Sequence, residues 1–249
     1  MGNAIIRILL LPVLLFSCAP EAPAQQTPAP GPPNAAQQQA LDKVMFAVKT
    51  IFNKLNSSDW ILRRDYYDPK AIVNYWQAGA PMNLNNNFER VYEIKAGTPS
   101  YEKLIRPLVD KDQEFYKTQQ YDSARILDAK IKALSHFELY ANLNMATVNL
   151  QPTNRRQPNV PLSVKGCTYS CLSNHGNVDR VVVGSYHLLF GAWDPAQCAK
   201  EQTARYQFRH PVGTPYIENI DIEIIGDNDF IRNWVDTADW SLITQALSN

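Results

Sequence analysis

The chain has 249 residues in which 24 Lys and Arg balance 24 Asp and Glu, so its formal net charge is zero. With no basic run, it lacks the electrostatic footprint of a nucleic-acid binder, and nucleic acid is not an expected partner. Beyond the first twenty residues no apolar stretch reaches the 18 or so residues needed to cross a bilayer, so any membrane attachment must come from the N-terminus.

The N-terminal stretch is a single basic residue, Arg7, followed by the apolar run ILLLPVLLF at residues 8–16 and then Ser17 and Cys18. The run is too short to span a hydrocarbon core and has the layout of a secretory signal. Leu15 three residues before Cys18, with the small Ser17 directly before it, resembles the lipobox of bacterial lipoproteins, although Phe16 stands where a smaller residue is usual. The resemblance implies cleavage after Ser17, a signal peptide of residues 1–17, and a diacylglyceryl thioether on Cys18, enough acyl chain for stable membrane anchoring. Ala19 in place of Asp leans, by analogy with Gram-negative sorting, toward the outer membrane. The competing reading is an ordinary signal cleaved near residues 22–24, with no role for Cys18.

Residues 19–39 are built mainly of Ala, Pro and Gln, with a single charge and no aromatic or β-branched aliphatic side chain. Together with Cys18 this reads as a disordered tether over residues 18–40, reaching at most about 60 Å in polyproline-like geometry. Roughly 210 residues remain, enough for one domain over residues 41–249.

Within that domain, Leu41, Val44, Met45, Val48, Ile51, Phe52 and Leu55 recur at helical spacing and predict an amphipathic helix. Asp68-Pro69 is a helix-start signal for a short helix to Trp76 closed by Gly79, and the Asn run at residues 83–87 reads as a loop. Thr98-Pro99 starts a further helix, in which Pro107 predicts a kink, and apolar residues from Tyr121 to Leu134 continue at helical spacing. At Phe137 the period changes to two and holds to Met145, which predicts a strand. Further strands are expected within residues 178–193, 204–210 and 216–225, and a last helix after Gly226, interrupted near Asp239. Helices, then strands, then a closing helix make an α+β fold: a helical N-terminal half packed on an antiparallel sheet.

Cys167, Cys171 and Cys198 lie in the strand-rich half. In an exported chain one disulfide is expected, preferentially joining Cys167 or Cys171 to Cys198, with a local Cys167–Cys171 ring as the competitor. A zinc shell of Cys167, Cys171, His175 and Cys198 is the sharper alternative, but the spacing is not that of a zinc knuckle and thiolates outside the cytoplasm oxidise, so no metal and no cofactor is expected.

His136, His175, His187 and His210 are the histidines, and none sits in a nucleophile or metalloprotease motif, so no catalytic residue is assigned. Asp221 and Glu223 share one strand face at about 7 Å, a spacing that a solvated strand face also produces. Trp60, Tyr66, Tyr67, Tyr75 and Trp76 cluster around Arg63 and Arg64, as either a protein- or glycan-contacting surface or packing between the helices and the sheet. The expectation is a lipid-anchored cell-envelope protein acting as a binding or scaffolding module. The alternative is an envelope hydrolase of glycan or peptide using His175.

Overall fold

The computed structural model describes residues 28–55, 59–66, 73–74, 79–84, 88–150, 159–178, 181–200, 203–226 and 229–247. In chain order the elements are α1 (Ala35–Asn53), β1 (Trp60–Tyr66), β2 (Val73–Asn74), β3 (Asn83–Leu84), β4 (Phe88–Ile94), α2 (Pro99–Leu104), α3 (Arg106–Lys117), α4 (Tyr121–Ser135), β5 (His136–Leu143), β6 (Thr147–Asn149), β7 (Val160–Pro161), β8 (Tyr169–Val178), β9 (Val181–Gly191), α5 (Pro195–Lys200), β10 (Thr203–Arg205), β11 (Asn219–Ile225), α6 (Asp229–Thr237) and α7 (Ser241–Leu247). Seven strands form one antiparallel sheet in the order β1-β4-β5-β11-β9-β8-β7, and the fold is α+β.

Alternation along the strands gives the sheet two unlike faces. On one, Phe137, Leu139, Ala141, Leu188, Phe190, Ile220, Ile222 and Ile224 are buried beneath α1, α6 and α7, which contribute Leu41, Val48, Ile51, Phe52, Ile231, Trp234 and Ile243, with Trp240 from the turn between α6 and α7. The other face carries Glu138, Tyr140, Asn142, Ser185, His187, Asp221 and Glu223, as the registers of β5, β9 and β11 require. Over one end of this polar face lies a smaller apolar cluster, in which Val148, Leu150, Trp193, Cys198, Ala204 and Tyr206, from β6, β10, α5 and the segments beside them, pack on Cys171 of β8 and Leu189 of β9.

Several boundaries differ from the sequence expectation. Helix α1 starts at Ala35, inside the stretch expected to be tether, because Asn34 and Gln37 form a reciprocal capping box and the Ala- and Gln-rich segment is a good helix former once capped. Gln37 is buried there. Pro107 ends one helix and opens another: α2 stops at Leu104, and α3 carries the proline in its first turn, where its missing N–H costs nothing. Of the helix expected over residues 68–76, only Val73–Asn74 falls within the described residues, and it is a strand paired with Asn83–Leu84, where a loop was expected. Strands β1 and β4 lie in the helix-rich half. Arg90 interrupts the apolar alternation of β4, yet it is buried, with its guanidinium on both carboxylate oxygens of Asp65 and on Asn53 Oδ1. The closing helix divides at Asp239, whose carboxylate caps Ser241.

Candidate functional site

Each histidine whose side chain is described, His136, His187 and His210, is held by a carboxylate. On β5, His136 and Glu138 are two residues apart and therefore point to one side, placing His136 Nε2 3.0 Å from Glu138 Oε1. Tyr140, two residues further on, donates its hydroxyl to the other oxygen, Glu138 Oε2. The bond from His136 is the main cause that holds the Glu138 carboxyl down at about 2, against the upward push of its partial burial, with Tyr140 adding to the depression. Burial, followed by the bond to Glu138, raises the Tyr140 phenol. His136 and Glu138 line a cleft of about 190 Å³ together with Ala129, Lys132 and Ala133 of α4 and Ile225 and Gly226.

The second pair is enclosed. His187 on β9 and Asp221 on β11 are 3% and 2% exposed, with Nδ1 3.3 Å from Oδ1. Asn142 Nδ2 donates to the remaining oxygen at 3.4 Å, Glu223 Oε1 stands 4.0 Å from His187 Nε2, and Ser185 Oγ donates to Glu223 at 3.2 Å. Burial pulls the His187 imidazole downward, but attraction and hydrogen bonding from Asp221, aided by Glu223, outweigh it and the net shift is upward. Glu223 is raised, chiefly by burial. This polar ribbon ties three neighbouring strands together across the sheet, with His187 and Asp221 buried and Glu223 partly exposed.

The third pair closes the loop before β11. Buried Glu218 accepts the backbone N–H groups of Arg209 and His210 at 2.9 and 2.7 Å and His210 Nδ1 at 2.9 Å, while the His210 ring stacks on Tyr216 with centroids 3.6 Å apart. Tyr206 OH reaches the Glu218 carbonyl at 3.0 Å, and Asn144 donates to the Met82 and Tyr216 carbonyls. Gly191, at φ +107°, passes so close to the Glu218 carbonyl that any Cβ would collide with it. Glu218 thus serves mainly as a surrogate backbone acceptor for a segment without regular pairing.

Cys171 stands opposite His187 in the β8–β9 register, an order that superficially suggests a thiol–imidazole pair. Burial pushes its thiol up to about 12, so it stays protonated and is not a nucleophile at neutral pH. Cys167, also raised to about 12 by burial, packs against the large core on the opposite side of the sheet from Cys171 and Cys198. That separation overturns the four-ligand zinc arrangement, which would have needed all three thiols on one side. Among the described residues no three His, Cys, Asp or Glu side chains are grouped to hold a metal ion. His175 lies on β8 opposite Val183, beside a register shift before Asn177.

Of the aromatic stretch, Trp60 is a core residue and not a surface one: it is 7% exposed, stacked on Phe230 at 5.3 Å and edge-on to Phe137 at 4.7 Å. Alternation from Trp60 into an apolar face is the reason. Tyr66, at the other end of β1, is 42% exposed. Tyr67, Tyr75 and Trp76 lie outside the described residues, as does Cys18. The His136–Glu138 pair was missed because the strand was expected to begin at Phe137, one residue after His136, although the two-residue spacing is the signal that could have found it; nothing in the sequence joins His210 to Glu218 or His187 to Asp221.

Compared with protein-family models, curated proteins and solved structures, the chain matches none. Among the described residues no helix is long and apolar enough to cross a membrane.

Proposed function

We propose that this is a lipid-anchored cell-envelope protein, tethered through Cys18, whose domain binds or scaffolds an envelope protein without turning it over. The observation that carries this reading is the exposed outer half of β1, the edge strand of the sheet, where Arg63, Arg64 and Tyr66 stand together. Tyr and Arg are the residue types that contribute most at protein interfaces. A register shift between Leu62 and Arg64 and the charged side chains on this edge disfavour addition of a further strand, so recognition would run through side chains. Arg63 and Arg64 are already oriented by Glu93 and Glu89, each at 2.7 Å, which lowers the ordering cost of presenting them.

In cells, site-specific photo-crosslinking from β1 should capture an envelope protein, and Tyr66→Ala with Arg64→Ala should reduce that capture at least tenfold while the circular dichroism of the domain is unchanged. Cys18→Ser should release the protein from membranes, with an acylated cysteine as the mature N-terminus of the wild type. Unchanged capture would end the edge-strand reading, and an unmodified N-terminus beyond residue 18 would end the anchor. A hydrolase is favoured by one observation only, the oriented His136 beside its cleft. Hydrolysis of envelope glycan or peptide that is lost in His136→Ala and kept in Tyr66→Ala would replace the binding reading with that one.

A further inference from the structure

The sequence leaves three pairings open among Cys167, Cys171 and Cys198, and the two faces of the sheet separate them. Cys171 lies within β8 and is fully buried in the small apolar cluster, among Val148, Leu150, Leu189 and Trp193. Cys198, on α5, is 2% exposed and belongs to that same cluster. Cys167 precedes β8 in a turn closed by its own N–H on the Val164 carbonyl, and packs with Leu162 and Leu172 against the large core on the other side. It is pinned there, because its neighbour Thr168 donates its N–H to the Leu189 carbonyl at 2.9 Å and its hydroxyl to the Gly191 carbonyl at 2.6 Å.

We infer that Cys171 and Cys198 are the pair that forms the disulfide of this domain, with Cys167 left as a thiol on the opposite face of the sheet. A Cys167–Cys171 ring is opposed by side: Cys167 packs against the large core, whereas Cys171 is buried in the small cluster on the other face of the sheet. A Cys167–Cys198 bond would have to pass through the sheet. The bond would clamp α5, and with it the layer formed by β6 and β10, onto the polar face of the sheet. The exchange takes place before folding buries the thiols: the two thiols release two protons and two electrons as the Sγ–Sγ bond forms, and the electrons reduce a donor disulfide, such as that of an exported thiol–disulfide exchange protein, to two thiols.

The inference rests on export for its oxidant, and the test separates the two. Protein purified from the envelope, alkylated without prior reduction and digested, should yield one crosslinked peptide pair containing Cys171 and Cys198, and an alkylated Cys167. In parallel, the chain carrying Cys18→Ser is refolded in a glutathione redox buffer and mapped the same way. Cys167→Ser should leave the bridge intact, Cys171→Ser should leave Cys198 alkylated, and reduction should lower the thermal midpoint by about 8 °C. Any bridge containing Cys167, or no Cys171–Cys198 bridge in either preparation, overturns the pairing. A bridge that forms on refolding but is missing from the cellular protein upholds the pairing and rejects the exported reading.

Discussion

Asp221 and Ile222 are neighbours on one central strand, equally buried, and they hold the molecule together by opposite means. Ile222 faces the large core, where it joins Ile220, Ile224, Leu139 and Leu188 under three helices and gains from non-directional burial, worth about 25 cal/mol per Å² of apolar area. Asp221 faces the other way, and its burial is tolerable only because His187 and Asn142 meet its two oxygens from the strands on either side. The apolar face tolerates any packing that fills its volume. The polar face tolerates one arrangement, so it fixes the register of β5, β11 and β9 against slippage, since a shift of one residue would drive Asp221 and Glu223 into the helices.

The contrast is sharpest in mutants of unlike chemistry. Phe137→Ala, which removes a ring packed between Trp60 and Tyr92, should cost about 3–5 kcal/mol in denaturant unfolding. A loss below about 1 kcal/mol would mean that the helical layer does not carry the core. Asp221→Asn keeps the shape and removes the charge, and should cost about 3 kcal/mol because His187 is left buried with only the more distant Glu223 as counter-charge. Its pH signature distinguishes it from a packing defect. The folded-state value of His187 is raised above the ordinary 6.5, so its contribution is fully present below about 6.5 and is lost as the pH rises through the raised value. In Asp221→Asn that dependence should flatten, while in Phe137→Ala it should persist. At the small end, Arg63→Ala breaks an ion pair in which both side chains are about half exposed, and should change stability by no more than about 0.5 kcal/mol. A larger loss would show that the edge strand is structural and not a surface kept for a partner.

Period and capping carried much of this architecture into view. Helix α1 beyond its first turns, the division near Asp239, the strands β5 and β11 and the α+β order follow from local signals, because spacing and caps act within a few residues, while Pro107, expected to kink one helix, separates two. Strands β1 and β4 were hidden by Arg63, Arg64 and Arg90, charges that become acceptable only when Glu93, Glu89 and Asp65 meet them across the sheet. The same holds for the site. A chain read in order shows that Asp221 and Glu223 share a face and that His136 and Glu138 stand two apart, since both facts come from the two-residue repeat of a strand. It cannot show that His187 meets Asp221, that Glu218 supports residues 209–210, that Trp60 points inward, or that Cys167 and Cys171 lie on opposite sides of a sheet. Those depend on register between strands far apart in sequence, and register is decided by burying one face completely while pairing every charge on the other.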